Sequence, residues 1–157
     1  MIKTRNYSFS TIFVVKAPVE TVWSALSEFE GYGIWWKGVS NISVDRSVSS
    51  PVASMTVKYL FHRLSLVFNI YNLVENELCE FTAKGDLVGN GKFIVNKVKN
   101  GTKVCIVWQV VTVRVWMNIF APILRPFFVF SHEKIMRWFV TGFADNLHAE
   151  LLYAEYK

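Results

Sequence analysis

His132 is the side chain of this sequence best suited to chemistry at neutral pH, and it stands among apolar residues. An unperturbed imidazole titrates near pH 6.5, so it can orient a ligand carbonyl or hydroxyl, or act as a general base. Met136 and Phe139 follow at helical steps, which puts the three on one face. If that face looks into a cavity, His132 is the polar handle at one end of it. The same spacing also suits a histidine that caps a helix or packs, partly exposed, under the preceding segment. Beside it, Glu133 and Arg137 stand four apart, either as a solvated ion pair or with Arg137 receiving an anionic head group.

The aromatic residues form the second set. Trp35 and Trp36 are adjacent, so in an extended chain they point to opposite sides. At most one enters the core fully, and the other can edge a cavity mouth with a wide face and one N–H donor. Trp108, Phe61, Phe68, Phe81 and Phe93 sit in strand-like runs, where a concave sheet face makes them core or cavity wall. A third set lies in the apolar, proline-broken segment 116–128. There Trp116, Ile119, Phe120, Leu124 and Arg125 can serve as a lid, a membrane-docking surface, a dimer contact or a buried linker.

Other chemistries lack their residues. No Ser/His/Asp or Cys/His arrangement is legible, no zinc-binding histidine spacing occurs, and no glycine-rich phosphate loop opens a helix. The expectation is no metal and no cofactor. His62 and His148 read as surface residues. Cys79 and Cys105 are too few for a disulfide framework and read as free thiols of a reducing, cytoplasmic compartment. The net charge of +5 is spread along the chain, which argues against nucleic acid as a partner. The first ten residues are polar and basic, without the apolar core of a signal peptide. Residues 104–130 are apolar but broken by Arg114, Arg125, Pro122 and Pro126, so no transmembrane helix is expected.

The elements that must position these groups follow from periodicity. One domain over residues 1–157 is expected, long enough to bury a core. Hydrophobic residues make up 52% and aromatic residues 16%, more aromatic surface than a solid core needs. Phe9, Thr11, Phe13 and Val15 alternate as a strand. Pro18 opens a helix whose stripe is Val19, Val22, Trp23, Leu26 and Phe29, and Gly31 ends it. A short second helix or turn carries the tryptophan pair. Residues 38–115 read as six antiparallel strands, with turns at Ser49-Ser50-Pro51, His62-Arg63, Glu75-Asn76-Glu77, Asn90-Gly91 and Asn100-Gly101. Residues 116–126 read as an irregular linker. The last thirty or so read as one long helix, its stripe running from His132 to Leu147 and Leu151.

The expected fold is therefore α+β: a curved seven-stranded antiparallel sheet wrapped around a long C-terminal helix, with two short helices after the first strand. Three motifs in this order resemble the START/polyketide-cyclase (SRPBCC, Bet v 1-like) superfamily of helix-grip proteins. They are Ala17-Pro18-Val19-Glu20-Thr21-Val22-Trp23, then Gly89-Asn90-Gly91-Lys92-Phe93 with Gly101-Thr102-Lys103-Val104, and finally Ile119-Phe120-Ala121-Pro122 leading to His132-Glu133-Lys134-Ile135-Met136-Arg137. The resemblance covers almost the whole chain. It implies an internal hydrophobic cavity for the binding or transport of a hydrophobic small molecule or lipid. It also admits a polyketide cyclase or dehydratase with His132 as catalytic group, or a protein that docks on a membrane or partner through residues 116–128. Either a monomer or a homodimer fits.

Overall fold

The computed structural model describes residues 6–60 and 62–157. Phe61, one of the aromatics expected in the cavity wall, lies outside the described residues. β1 (Asn6–Val15) buries Tyr7, Phe9, Thr11, Phe13 and Val15 on one face, as strand alternation requires. α1 (Val19–Ser27) follows Pro18 and buries Val22, Trp23 and Leu26. A 3-10 turn (Phe29–Gly31) and a short α2 (Tyr32–Trp35) lead into β2 (Val39–Asp45). Then come β3 (Val52–Tyr59), β4 (His62–Val74), β5 (Leu78–Gly85), β6 (Leu87–Val98) and β7 (Gly101–Thr112). Each pairs antiparallel with the next, and β1 closes against β7. The sheet wraps a 26-residue helix, α4 (Ala121–Asn146), after a short α3 (Val115–Ile119). Neither layer could bury its apolar face alone. The shared core centres on Phe13, Phe139 and Phe143, all at most 1% exposed. No described helix is long and apolar enough to cross a membrane.

Three sequence expectations need correction. Among the described residues the sheet has eight strands, not seven, in the order β2-β3-β4-β5-β6-β7-β1-β8. The eighth, β8 (Leu151–Tyr156), pairs with β1 and takes Leu151 off the expected helical stripe. The helix stops because His148 adopts a left-handed conformation at φ 51°. Its N–H reaches Asp145 O, and the Ala149 N–H reaches Ala144 O, both at 3.0 Å. This is a Schellman ending, usually built on glycine, with histidine in that place.

The segment 116–126 is helical rather than irregular. Pro122 lies in the first turn of α4, where a missing N–H is harmless, but Pro126 lies inside the helix and forgoes one backbone bond. Finally, Asn90-Gly91 is not a turn. It lies within β6, and the chain reverses instead at Gly85-Asp86, with Gly85 at φ 113°. Gly91 is there for space: a Cβ at this position would stand 2.6 Å from Trp108 Cβ and 2.7 Å from the Phe81 ring.

Candidate functional site

Between the concave sheet and α4 lies a cavity of about 170 Å³. Period-two alternation aims Tyr7 and Phe9 of β1 into it, with Phe68, Phe81, Phe93 and Trp108 from the other strands. Helical spacing adds Phe128, Ser131, His132, Ile135, Met136 and Phe139 from α4. No lining residue is charged among those described.

Of the residues singled out in the sequence, Trp36, Phe68, Phe81, Phe93, Trp108, His132, Met136 and Phe139 share this wall. Trp35 does not. It packs edge-on against Phe139 and Phe143, with ring centroids 5.1 and 5.4 Å away. The reason is local: α2 ends at Trp35 and Trp36 is extended, so the chain delivers one indole to the core and the other to the wall. The five residues Trp116, Ile119, Phe120, Leu124 and Arg125 do not belong to the wall either. Trp116, Ile119 and Phe120 point outward at 40–63% exposure. Sequence reasoning missed Tyr7, Tyr32 and Ser131. Tyr7 was legible as the next inward position before Phe9, whereas Ser131, a lone serine in a helix, carried no such signal.

The polar atoms of the wall are mostly engaged. The Trp36 indole donates to Ile135 O at 3.0 Å, and the Tyr32 hydroxyl donates to Leu26 O. Trp108 Nε1 donates to His132 Nε2 at 2.8 Å. An indole N–H can only donate, so His132 Nε2 is the unprotonated nitrogen and Nδ1 carries the ring proton. The imidazole stacks on Phe9 with centroids 3.6 Å apart. Burial lowers the His132 pKa to about 3, because the charged form would be desolvated. Burial likewise pushes the Cys79 thiol up to about 12 and the Tyr32 phenol upward. The wall is therefore neutral across the physiological range. Among the described residues no group of three or more His, Cys, Asp or Glu could hold a metal ion. Cys79 and Cys105 are free thiols.

A curved antiparallel sheet gripping one long helix around an apolar, uncharged cavity defines a helix-grip protein. The chain matches the family described as polyketide cyclase / dehydrase and lipid transport over residues 7–151, and it belongs to that family. No curated protein matches it in sequence. Among solved structures it resembles a protein of Thermus thermophilus at 16% identity and TM-score 0.78, covering 90% of this chain and 97% of that one. A conserved protein of Geobacillus kaustophilus is similar at 10% identity and TM-score 0.74, covering 90% and 95%. The Zhui aromatase/cyclase of a Streptomyces species is similar at 11% identity and TM-score 0.69, covering 93% and 94%. At these identities the likeness concerns the fold.

Proposed function

We propose that this protein binds a small hydrophobic molecule in the cavity between the sheet and α4. The observation that carries this is a wall of aromatic and aliphatic side chains, uncharged among the described residues, around about 170 Å³ of space inside an otherwise packed domain. An apolar cavity of about 150 Å³ accommodates benzene in another protein, so a body of one or two fused rings suits this one. Drug-sized ligands occupy about 300–1,000 Å³, so a long acyl chain or a folded polyketide requires the N-terminal half of α4 to lift. The test is native mass spectrometry and solvent extraction of freshly purified protein. A copurifying neutral organic molecule is expected. A protein that carries none and binds no apolar aromatic in titration would overturn the reading.

Catalysis by His132 as a general base is disfavoured by its geometry. Its lone pair accepts the Trp108 N–H, and burial holds the ring neutral and weakly basic.

A second reading concerns delivery and rests on a different surface. Ile119, Phe120, Ile123 and Phe130 form an exposed apolar stripe along α3 and α4, with Ile123 76% exposed. Arg125, on the same helix between Ile123 and Phe130 in sequence, is exposed, whereas Arg114 just before α3 is paired with Asp86 at 2.6 Å. Such a stripe suits the surface of an anionic bilayer. Flotation with phosphatidylglycerol vesicles is expected, with loss in Ile119→Ser/Ile123→Ser and weakening in high salt. Absence of flotation removes this reading and leaves the cavity untouched.

A further inference from the structure

Two buried hydroxyls of the cavity wall stand outside the hydrogen bonds of the described residues. Tyr7 and Ser131 are 93% and 91% buried. Neither side-chain oxygen finds a hydrogen-bond partner among the described residues. Leaving a buried hydroxyl unsatisfied is costly, and native interiors rarely do so without a reason. Near them, the Trp108 indole is committed to His132, and Thr112 to Asn118 at 2.6 Å.

The two hydroxyls belong to one end of the cavity. Tyr7 lies edge-on against Phe128, with centroids 6.1 Å apart, and Ser131 follows Phe128 by one helical turn. Phe9, two residues from Tyr7 on the same strand face, stacks on His132, the residue after Ser131. β1 and α4 thus bring the residues that carry both hydroxyls to the same end of the cavity. The opposite end, around Phe29, Tyr32 and Cys79, is apolar or already bonded.

We infer that this end is a polar subsite, and that the ligand is a neutral molecule whose apolar body ends in a carbonyl or hydroxyl oxygen seated on Tyr7 and Ser131. This rests on the cavity-binding reading above and sharpens it. Two donors converge on one acceptor, and the aromatic wall holds the remainder. An anionic terminus is rejected, because no described lining residue carries a positive charge and burying an uncompensated carboxylate is expensive. Among the described residues, Arg125 is the cation placed against the Tyr7 ring. It lies over the Tyr7 ring, 5.8 Å from its centroid, exposed and outside the wall.

The experiment titrates the full chain at pH 7.5 with naphthalene, 2-acetylnaphthalene and 2-naphthoate, followed by tryptophan fluorescence and calorimetry. 2-Acetylnaphthalene is expected to bind about tenfold tighter than naphthalene, and 2-naphthoate weaker than either. In Tyr7→Phe/Ser131→Ala the acetyl preference falls to about twofold or less, while naphthalene affinity is kept. Neither substitution removes packing volume of consequence, so the ligand-free variant keeps its melting temperature or gains a few degrees. A merely structural pair of hydroxyls would lower it. Equal affinities for naphthalene and its acetyl derivative in the native chain overturn the subsite alone. Tightest binding of 2-naphthoate, abolished by Arg125→Gln, overturns the neutral selectivity and assigns the end to an anion. Failure of naphthalene and its acetyl derivative alike to bind overturns the cavity reading and this inference with it.

Discussion

The two halves of α4 are similarly apolar in sequence, yet they are packed in different ways. In the C-terminal half, Phe139, Val140, Phe143 and Ala144 are at most 3% exposed. Their neighbours are close on every side. The Phe13 ring meets Phe139 and Phe143 at centroid distances of 6.2 and 5.7 Å. A Cβ on Gly142 would stand 2.0 Å from the Trp35 carbonyl oxygen. In the N-terminal half, Ala121 and Ser131 are the buried residues, and Ile123, Val129 and Phe130 point outward. The inner face of that half meets the cavity at Phe128, Ser131 and His132. One end of the helix anchors the grip and the other covers the space. A cavity in this fold is a place where the helix is deliberately held off the sheet, and the residues at that end are free to recognise something else.

The sharpest way to break the comparison is to disturb the anchored end. Gly142→Ala forces a backbone shift between α4 and α2, because the clashing atom is a carbonyl oxygen and cannot rotate away. A loss of about 4 kcal/mol or outright failure to fold is expected. Phe143→Ala, which empties a fully buried site, is expected to cost about 3–5 kcal/mol in urea unfolding. At the covering end, Phe128→Ala should cost only about 1–2 kcal/mol, since Phe128 is half-buried and borders space already present. It should also admit a bulkier ligand. Equal losses for Phe143→Ala and Phe128→Ala would mean that the two halves are packed alike.

This difference explains what the sequence could tell. The helix-grip order was legible because alternation in β1 and the stripe Val22, Trp23, Leu26 are driven by burial, which leaves a direct trace in residue type. The wall aromatics were legible for the same reason. The end of α4 was not, because His148 occupies a left-handed site where glycine would have signalled the stop. Pro122 and Pro126 marked a break where the chain stays helical, since one missing backbone bond is tolerated near an open helix end. Asn90-Gly91 imitated a hairpin, but its glycine answers to Trp108 and Phe81 across the strands, contacts that no local pattern records. Ser131 escaped notice because a lone serine in a helix looks like surface. Only the finished packing shows its hydroxyl enclosed.

His132 marks the boundary between the halves, and its titration tests which side it belongs to. Its folded pKa is about 3, against about 6.5 for an unperturbed histidine. Between these values the unfolded chain binds a proton that the folded chain refuses. The stability from the neutral ring is therefore complete above pH 6.5 and is lost as pH falls from there toward 3. The slope from this one group is at most about 1.4 kcal/mol per pH unit. His132→Gln keeps an acceptor for Trp108 and cannot titrate, so its melting temperature should fall less steeply than that of the native chain between pH 6.5 and 4.5. Parallel curves would place the imidazole in solvent and detach it from the cavity wall.

The smallest effect is expected one turn further on. Arg137 pairs with Glu133 at 2.7 Å, with the two side chains 52% and 43% exposed. It also lies over the Tyr156 ring of β8, 4.4 Å from its centroid. An exposed pair at this spacing couples by about 0.3–0.5 kcal/mol, because water screens it and two long side chains must be ordered. A cycle of Glu133→Gln, Arg137→Gln and the double variant should return a coupling in that range, fading in high salt. Arg137→Gln alone should cost slightly more than Glu133→Gln, since it also gives up the contact with β8. If the coupling instead exceeds about 1.5 kcal/mol and resists salt, the ion pair holds α4 in place on its covering side. Anchoring would then not be confined to the Phe139–Ala144 end, and the division of the helix would have to be redrawn around Arg137.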